Sequence, residues 1–296
     1  MKSGVKGIHH ITSVSGKAAE NFHFYTQVLG LRLVKKTVNF DDPGVYHLYY
    51  GDRTGSPGTL MTFFPYGGPR ARKGAGQVAA SAYAVKELQW WNKRLLEHGV
   101  EVSEEIRFGI PYLLFEDPHG MSLELYEDLV QGEEFPTRLR GASLELSQVG
   151  PTRELLEFLG FELEAEEGCR TRLRLPGGGD YLDLLASERL PATGGAGSVH
   201  HIALRVSDDT EQQEWLSALR KAGFAVSSVR DRTYFHSIYF RGPGGVLFEL
   251  ATDPPGMLID ESEEALGTHL MLPSQYEAHR QQIEARLEPL SVSTRL

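Results

Sequence analysis

Apolar residues occur along this chain in short bursts closed by glycine, proline or acidic pairs, and the bursts repeat in one order. GIHHITSVS (7–15) reads as a strand. In AAENFHFYTQVLG (18–30), Phe22, Tyr25 and Leu29 recur at helical spacing and Gly30 provides the stop. The strands LRLVKKTVNF, VYHLYYG and GTLMTFFP follow, ending the unit near Pro65. A second unit from Gln77 to Asp128 repeats the order: VAASAYAV, the helix KELQWWNKRLLEHG, then VEVSEEIRF, IPYLLFEDPHG and MSLELYED. A third, Arg140 to about Ser187, gives GASLELSQV, the helix TRELLEFLG, FELEAEEG, CRTRLRLPGGG and DYLDLLAS. The fourth, Val199 to Asp253, gives HHIALRV, the helix DTEQQEWLSALRKAG, FAVSSVRDR, FHSIYFRGPGG and VLFELATD. The turns DPHG and GPGG fall at equivalent places in units two and four.

Each unit is βαβββ, so the chain is expected to be α+β, with four modules in two tandem pairs that form cupped mixed sheets. The acidic, proline-bearing stretch EDLVQGEEFPT (127–137) reads as a linker between an N-terminal half (1–130, modules one and two) and a C-terminal half (138–296, modules three and four). LPATGGAGS (190–198) is a looser connection within the second half. The tail after Pro255 reads as helical, most clearly in PSQYEAHRQQIEARLEPL, and is expected to pack across the second half or a partner subunit.

Composition narrows the class. At 296 residues, 41% hydrophobic and 24% charged, the chain can bury a substantial core. A net charge of -10 without a basic run argues against nucleic acid. No apolar run approaches the roughly 18 residues of a membrane span, and the start MKSGVKGIHH carries no signal-like stretch. Cys169 is the only cysteine, which excludes disulfides and cysteine metal clusters. The expectation is a cytoplasmic protein, with homo-oligomerisation left open.

Tandem βαβββ modules resemble the vicinal oxygen chelate superfamily, which includes glyoxalases, bleomycin-binding proteins and extradiol ring-cleaving dioxygenases. The resemblance covers about residues 7–253. It implies metal ligands on the first and last strands of each module. Aligned by eye, those positions hold His10 and Thr62, Ala80 and Glu124, Leu144 and Asp183, and His201 and Glu249. Only modules one and four keep a histidine. His10, His201 and Glu249 would form the two-histidine, one-carboxylate triad that holds ferrous iron and leaves positions free for substrate and oxygen. A carboxylate within the apolar VLFELA also needs a cation or several donors. Strand alternation alone does not decide which histidine of HH (9–10) or HH (200–201) is the ligand. Relatives that open with HHxT use the second, which leaves His9 and His200 to support the ligands or line the pocket.

RTYFHSIYFRGPGGVLFE (232–249) looks like the extradiol signature, with Ile238-Tyr239, the Pro243-Gly244-Gly245 turn and Glu249 in frame. It departs from that signature at Arg232, where the usual residue is histidine, and at Gly242, where it is polar. An arginine there, with HHIT at the start and ligands split between modules one and four, resembles the hydroquinone (para-diol) dioxygenases. The resemblance implies an Fe(II) enzyme, with Mn(II) as a second candidate metal, that takes a small aromatic substrate and O2 and inserts both oxygen atoms. Arg232 would stabilise negative charge, Tyr239 would donate a hydrogen bond or proton, and Thr12 and His200 would orient the ring. Within the superfamily, a glyoxalase I-type isomerase would want a fourth ligand that Thr62 does not supply. A thiol transferase would generally be a dimer of two-module chains.

Overall fold

The computed structural model describes residues 4–129, 132–177 and 179–290. Val130 and Gln131 of the linker and Gly178 of the third module lie outside these residues. Module one contains β1 (Ile8–Ser15), α1 (Ala18–His23), β2 (Arg32–Asn39), β3 (Asp42–Gly51) and β4 (Leu60–Pro65). Module two contains β5 (Gln77–Val85), α2 (Leu88–Glu97), β6 (Val102–Arg107), β7 (Ile110–Glu116) and β8 (Ser122–Glu127). Module three contains β9 (Leu139–Leu146), α3 (Gly150–Phe158), β10 (Glu162–Glu167), β11 (Arg170–Arg174) and β12 (Tyr181–Ala186). Module four contains β13 (Val199–Val206), α4 (Asp209–Lys221), β14 (Arg230–Asp231), β15 (Phe235–Arg241) and β16 (Leu247–Pro255).

Local chemistry explains the repeated helix. In each module it is followed by a glycine at positive φ (Gly30, Gly99, Gly160 and Gly223), where L side chains are strained. The clearest start is at α4, where the Asp208 carboxylate accepts from the Glu211 backbone N–H at 2.9 Å. The helices, the first continued by a π-helical turn at Phe24–Val28 that ends at Leu29, press Phe24, Leu29, Trp91, Leu95, Leu155, Leu156, Trp215 and Leu219 onto the sheets, and all eight are buried in one core.

The sheets do not follow the order of the chain. One is β14-β15-β16-β13-β1-β4-β3-β2, so module four is joined to module one. The other is β10-β11-β12-β9-β5-β8-β7-β6, joining module three to module two. The seam of the first is the antiparallel pair β1–β13, in which His10 lies opposite Ala203 and Thr12 opposite His201. The seam of the second is β5–β9, with Ala80 opposite Ser143 and Ala82 opposite Gly141. Glu249 neighbours Ala203 and Asp183 neighbours Ser143. The two registers superpose, and they correct one aligned position: the counterpart of His201 is Gly141, not Leu144. A Cβ at Gly141 would lie 2.3 Å from the Tyr181 ring, so no side chain fits there.

The tail also departs from expectation. It packs chiefly on module one, touching module four at Tyr234, and among the described residues its α-helix is only α5 (Arg280–Glu284), preceded by a 3-10 turn at Ser274–His279. The physical reason is Lys35, whose fully buried ammonium needs counter-charge. Asp260 Oδ1 at 2.6 Å and Glu261 Oε2 at 2.5 Å provide it. Tyr276 donates to the Phe40 carbonyl at 2.7 Å, and Leu270 bridges Lys36. Replacing Lys35 with Ala should cost about 3 kcal/mol, because it strands the buried Glu261 carboxylate, and should release the tail. Urea unfolding and limited trypsin digestion at Arg280 check this; unchanged stability with a protected Arg280 would contradict it.

Candidate metal centre

Three side chains converge where β1, β13 and β16 lie side by side. His10 Nε2 lies 3.1 Å from His201 Nε2, His10 Nε2 lies 3.3 Å from Glu249 Oε2, and His201 Nε2 lies 2.9 Å from the same oxygen. All three residues are buried. Ser237 donates to Glu249 Oε1 and thereby turns Oε2 toward the imidazoles. Oε2 itself is buried without a hydrogen-bond donor. Three ligands on one face of an octahedral ion, each about 2.1 Å from it, sit about 3.0 Å apart. The triangle formed by His10, His201 and Glu249 matches that spacing, and no other histidine, cysteine or acidic group among the described residues gathers in this way.

The protonation states suit a cation. Burial pushes His201 down to about 4, against the partial opposition of Glu249, so its imidazole is neutral at pH 7. Burial works to raise the Glu249 carboxyl, but the neighbouring His10 and His201 rings hold it well below the usual carboxylate range. The outer nitrogens are held in the same manner on both sides. His10 Nδ1 meets His9 Nδ1 at 2.8 Å, and His201 Nδ1 meets His200 Nδ1 at 2.7 Å. With each ligand histidine offering its Nε2 lone pair inward, its Nδ1–H donates to its neighbour, which fixes tautomer and ring orientation. The HH dipeptides are thus ligand and support in one unit. His9 is sealed against Phe235, whereas His200 is exposed at the cavity rim.

Above the triangle lies a cavity of about 240 Å³. An apolar cavity of about 150 Å³ is enough for benzene, so this one takes a single substituted ring. Its walls include Phe64, Tyr66, Tyr49, Phe235, Arg232 and Tyr239. Arg232 Nε donates to the Tyr239 hydroxyl at 3.2 Å. Burial, reinforced by Glu249, pushes the Tyr239 phenol up, so it keeps its proton at neutral pH. Burial works against charge on Arg232, but Tyr239, Asp41 and Glu249 outweigh it. Thr12 is fully buried, does not line the cavity, and shares a 2.7 Å hydrogen bond with Thr62. Thr62 in turn meets His47 Nε2 at 2.9 Å, and His47 Nδ1 meets the Tyr49 hydroxyl at 2.9 Å. The position of a fourth protein ligand is therefore filled by a hydroxyl already committed to two partners. Sequence reasoning missed His47, Tyr49, Phe64 and the 39–41 turn. A usable signal was the alternation in VYHLYYG, which puts His47 and Tyr49 on the same face.

The sequence profile of the Glyoxalase/Bleomycin resistance protein/Dioxygenase superfamily matches residues 7–125 and 156–250. The chain belongs to this superfamily. A Bacillus subtilis protein named for ring-cleaving dioxygenase activity, MhqO, is 46% identical over 308 residues, covering 99% of both chains. The chlorohydroquinone/hydroquinone 1,2-dioxygenase of Sphingobium indicum is 36% identical, covering 94% of this chain and 95% of its own. A Bacillus subtilis crystal structure described as a dioxygenase superposes with a TM-score of 0.94 at 45% identity, covering 98% of this chain and 99% of that one. Within the superfamily the chain groups with dioxygenases over nearly its whole length.

Superfamily membership also makes sense of the second sheet, which has a larger concavity of about 930 Å³. Volume does not locate the centre; the donor set does. At the corresponding positions Glu124 faces Arg107 at 2.8 Å, and Asp183 binds Arg172 at 2.7 Å and Arg170 at 2.9 Å. The Arg172 guanidinium lies 3.9 Å from the Tyr181 ring centroid. Fixed cations take up the carboxylates in this cup.

A titration prediction follows from His201. Its pKa is about 4 when folded and near 6.5 when unfolded, so unfolding binds a proton between those values. Stability of the metal-free protein should be full above pH 6.5 and fall as pH drops toward 4. His201→Asn should make that slope shallower in urea unfolding at pH 7 and pH 5. Equal slopes would show that the imidazole is not held neutral.

Proposed function

We propose that this protein is an Fe(II)-dependent dioxygenase that opens the ring of hydroquinone-type (para-diol) aromatics beside a hydroxylated carbon and incorporates both atoms of O2. The observation that carries this reading is the ligand triangle of 2.9–3.3 Å edges beneath a one-ring aromatic cavity crowned by Arg232 and Tyr239. The similarity to a chlorohydroquinone/hydroquinone 1,2-dioxygenase supports the para-diol class.

His10, His201 and Glu249 would hold the iron, which, when bound, supplies Lewis acidity toward a ring hydroxyl and a path for electrons from ring to oxygen. Mn(II) suits the same donors. The chain's own groups then divide the work. Arg232 holds positive charge where a phenolate develops, in a site largely closed to water. Tyr239 keeps its proton at neutral pH and presents it to an oxygen at the same wall. His200, exposed at the rim with its Nδ1 accepting from His201, carries its proton on Nε2 and is placed to donate a hydrogen bond to the outer ring hydroxyl, orienting the ring. Thr12 acts at one remove, fixing Thr62 and through it His47. The superfamily's isomerase reaction gains less support, because Thr62 is engaged by Thr12 and His47 and offers no fourth protein ligand, and its thiol-transferase reaction gains less because all four modules lie in one chain.

Oxygen uptake by the Fe(II)-loaded protein with methylhydroquinone, set against catechol, tests the reading. Arg232→Ala and Tyr239→Phe should retain iron and lose on the order of 10²–10³ in ring cleavage, as is typical for a lost electrostatic or proton donor. His10→Ala should consume no oxygen. Isomerisation of a glutathione hemithioacetal without oxygen uptake would overturn the proposal.

A further inference from the structure

The mouth of the cavity is crossed by one ion pair. Asp41, at the tip of the β2–β3 hairpin, reaches over to Arg232 beside β14, with Asp41 Oδ2 lying 3.3 Å from Nη2 and 3.4 Å from Nη1. Among the described residues lining the cavity, these two alone carry permanent charge. The hairpin tip is held by other bonds as well: Asn39 Nδ2 donates to the Tyr66 hydroxyl at 2.9 Å, and Tyr276 donates to the Phe40 carbonyl. The position of the tip therefore does not rest on Asp41 alone.

In the other cup the equivalent tips also touch. There the β6–β7 tip meets the β10–β11 tip through the Phe108 backbone N–H and Glu167 Oε2 at 2.8 Å. The Phe108 ring lies 4.5 Å from the Arg172 guanidinium and walls it off. In the active cup the position of Arg172 is taken by Tyr239, and the cation is Arg232, which faces the cavity from the loop after β14 with Asp41 as its ion-pair partner.

We infer that Asp41 is a specificity-determining residue that selects para-diols without an ionised ring substituent and disfavours those bearing a carboxylate. The inference rests on the ring-cleaving reading above. An uncharged para-diol enters a cavity whose mouth is electrically neutral. A ring carboxylate brings a negative charge to a wall where Arg232 is already paired and Asp41 repels it. Removing the Asp41 charge frees a guanidinium whose planar fork suits a carboxylate.

Asp41→Asn in the Fe(II)-loaded full chain tests this, with kcat/KM measured by oxygen uptake for methylhydroquinone and for 2,5-dihydroxybenzoate. The ratio of carboxylated to uncharged substrate should rise about tenfold, and less in high salt, because Asp41 is solvent-exposed. Asp41→Glu should keep the original ratio. An unchanged ratio, or a parallel change for both rings, would overturn the inference and leave Asp41 a mere fastener of the tip. Ring cleavage itself is judged separately: no uptake with either ring by the unaltered protein would overturn the ring-cleaving reading. Anaerobic calorimetric titration with the same two rings then reads the selectivity from dissociation constants, and an unshifted ratio there overturns it equally.

Discussion

A carboxylate taken out of water must meet a cation or several donors, and Glu249 meets only one hydrogen-bond donor, on one of its oxygens. Much of the architecture serves that constraint. Ser237 turns the free oxygen inward, the β1–β13 seam brings two imidazoles to it, and His9 and His200 fix those imidazoles from behind. The second sheet faces the same constraint with Glu124 and Asp183 and meets it with Arg107, Arg170 and Arg172. One fold thus carries two solutions to one electrostatic requirement: guanidinium groups in one cup, and the triangle of His10, His201 and Glu249 in the other.

The cross-pairing of modules follows from this. Module one supplies His10, and module four supplies His201 and Glu249, so neither half of the chain contains the whole triangle. The tail reinforces module one through the buried Lys35, and Tyr234, packed over the Lys35 ammonium, donates to Asp260 at 3.0 Å. Tyr234 stands between Arg232 and Phe235 in sequence. The clamp that fixes the tail therefore also steadies the loop carrying Arg232, linking a stability feature to the wall of the cavity.

The βαβββ repeat and the histidine pairs were legible in the sequence because both are local: periodicity, a glycine stop, a dipeptide. His10, His201 and Glu249 could be singled out together because the superfamily places ligands on first and last strands. Long-range facts were not legible. Gly141 is the counterpart of His201 only in the paired register, and the sequence alternation around Leu144 gave no sign of it. The arginines that neutralise Glu124 and Asp183 lie on neighbouring strands at no fixed spacing. Lys35 reads as an ordinary strand lysine until the tail folds over it, so the tail's docking on module one was out of reach. The resemblance implied that Thr12 orients the ring, but its hydroxyl is spent on Thr62.

The most direct test is an iron-edge anomalous difference map from crystals of the full chain loaded anaerobically with Fe(II). The account predicts one strong peak per chain, about 2.0–2.2 Å from His10 Nε2, His201 Nε2 and a Glu249 oxygen, with the second cup empty. A peak held by His9 or His200, or one beside Glu124 and Asp183, would contradict it.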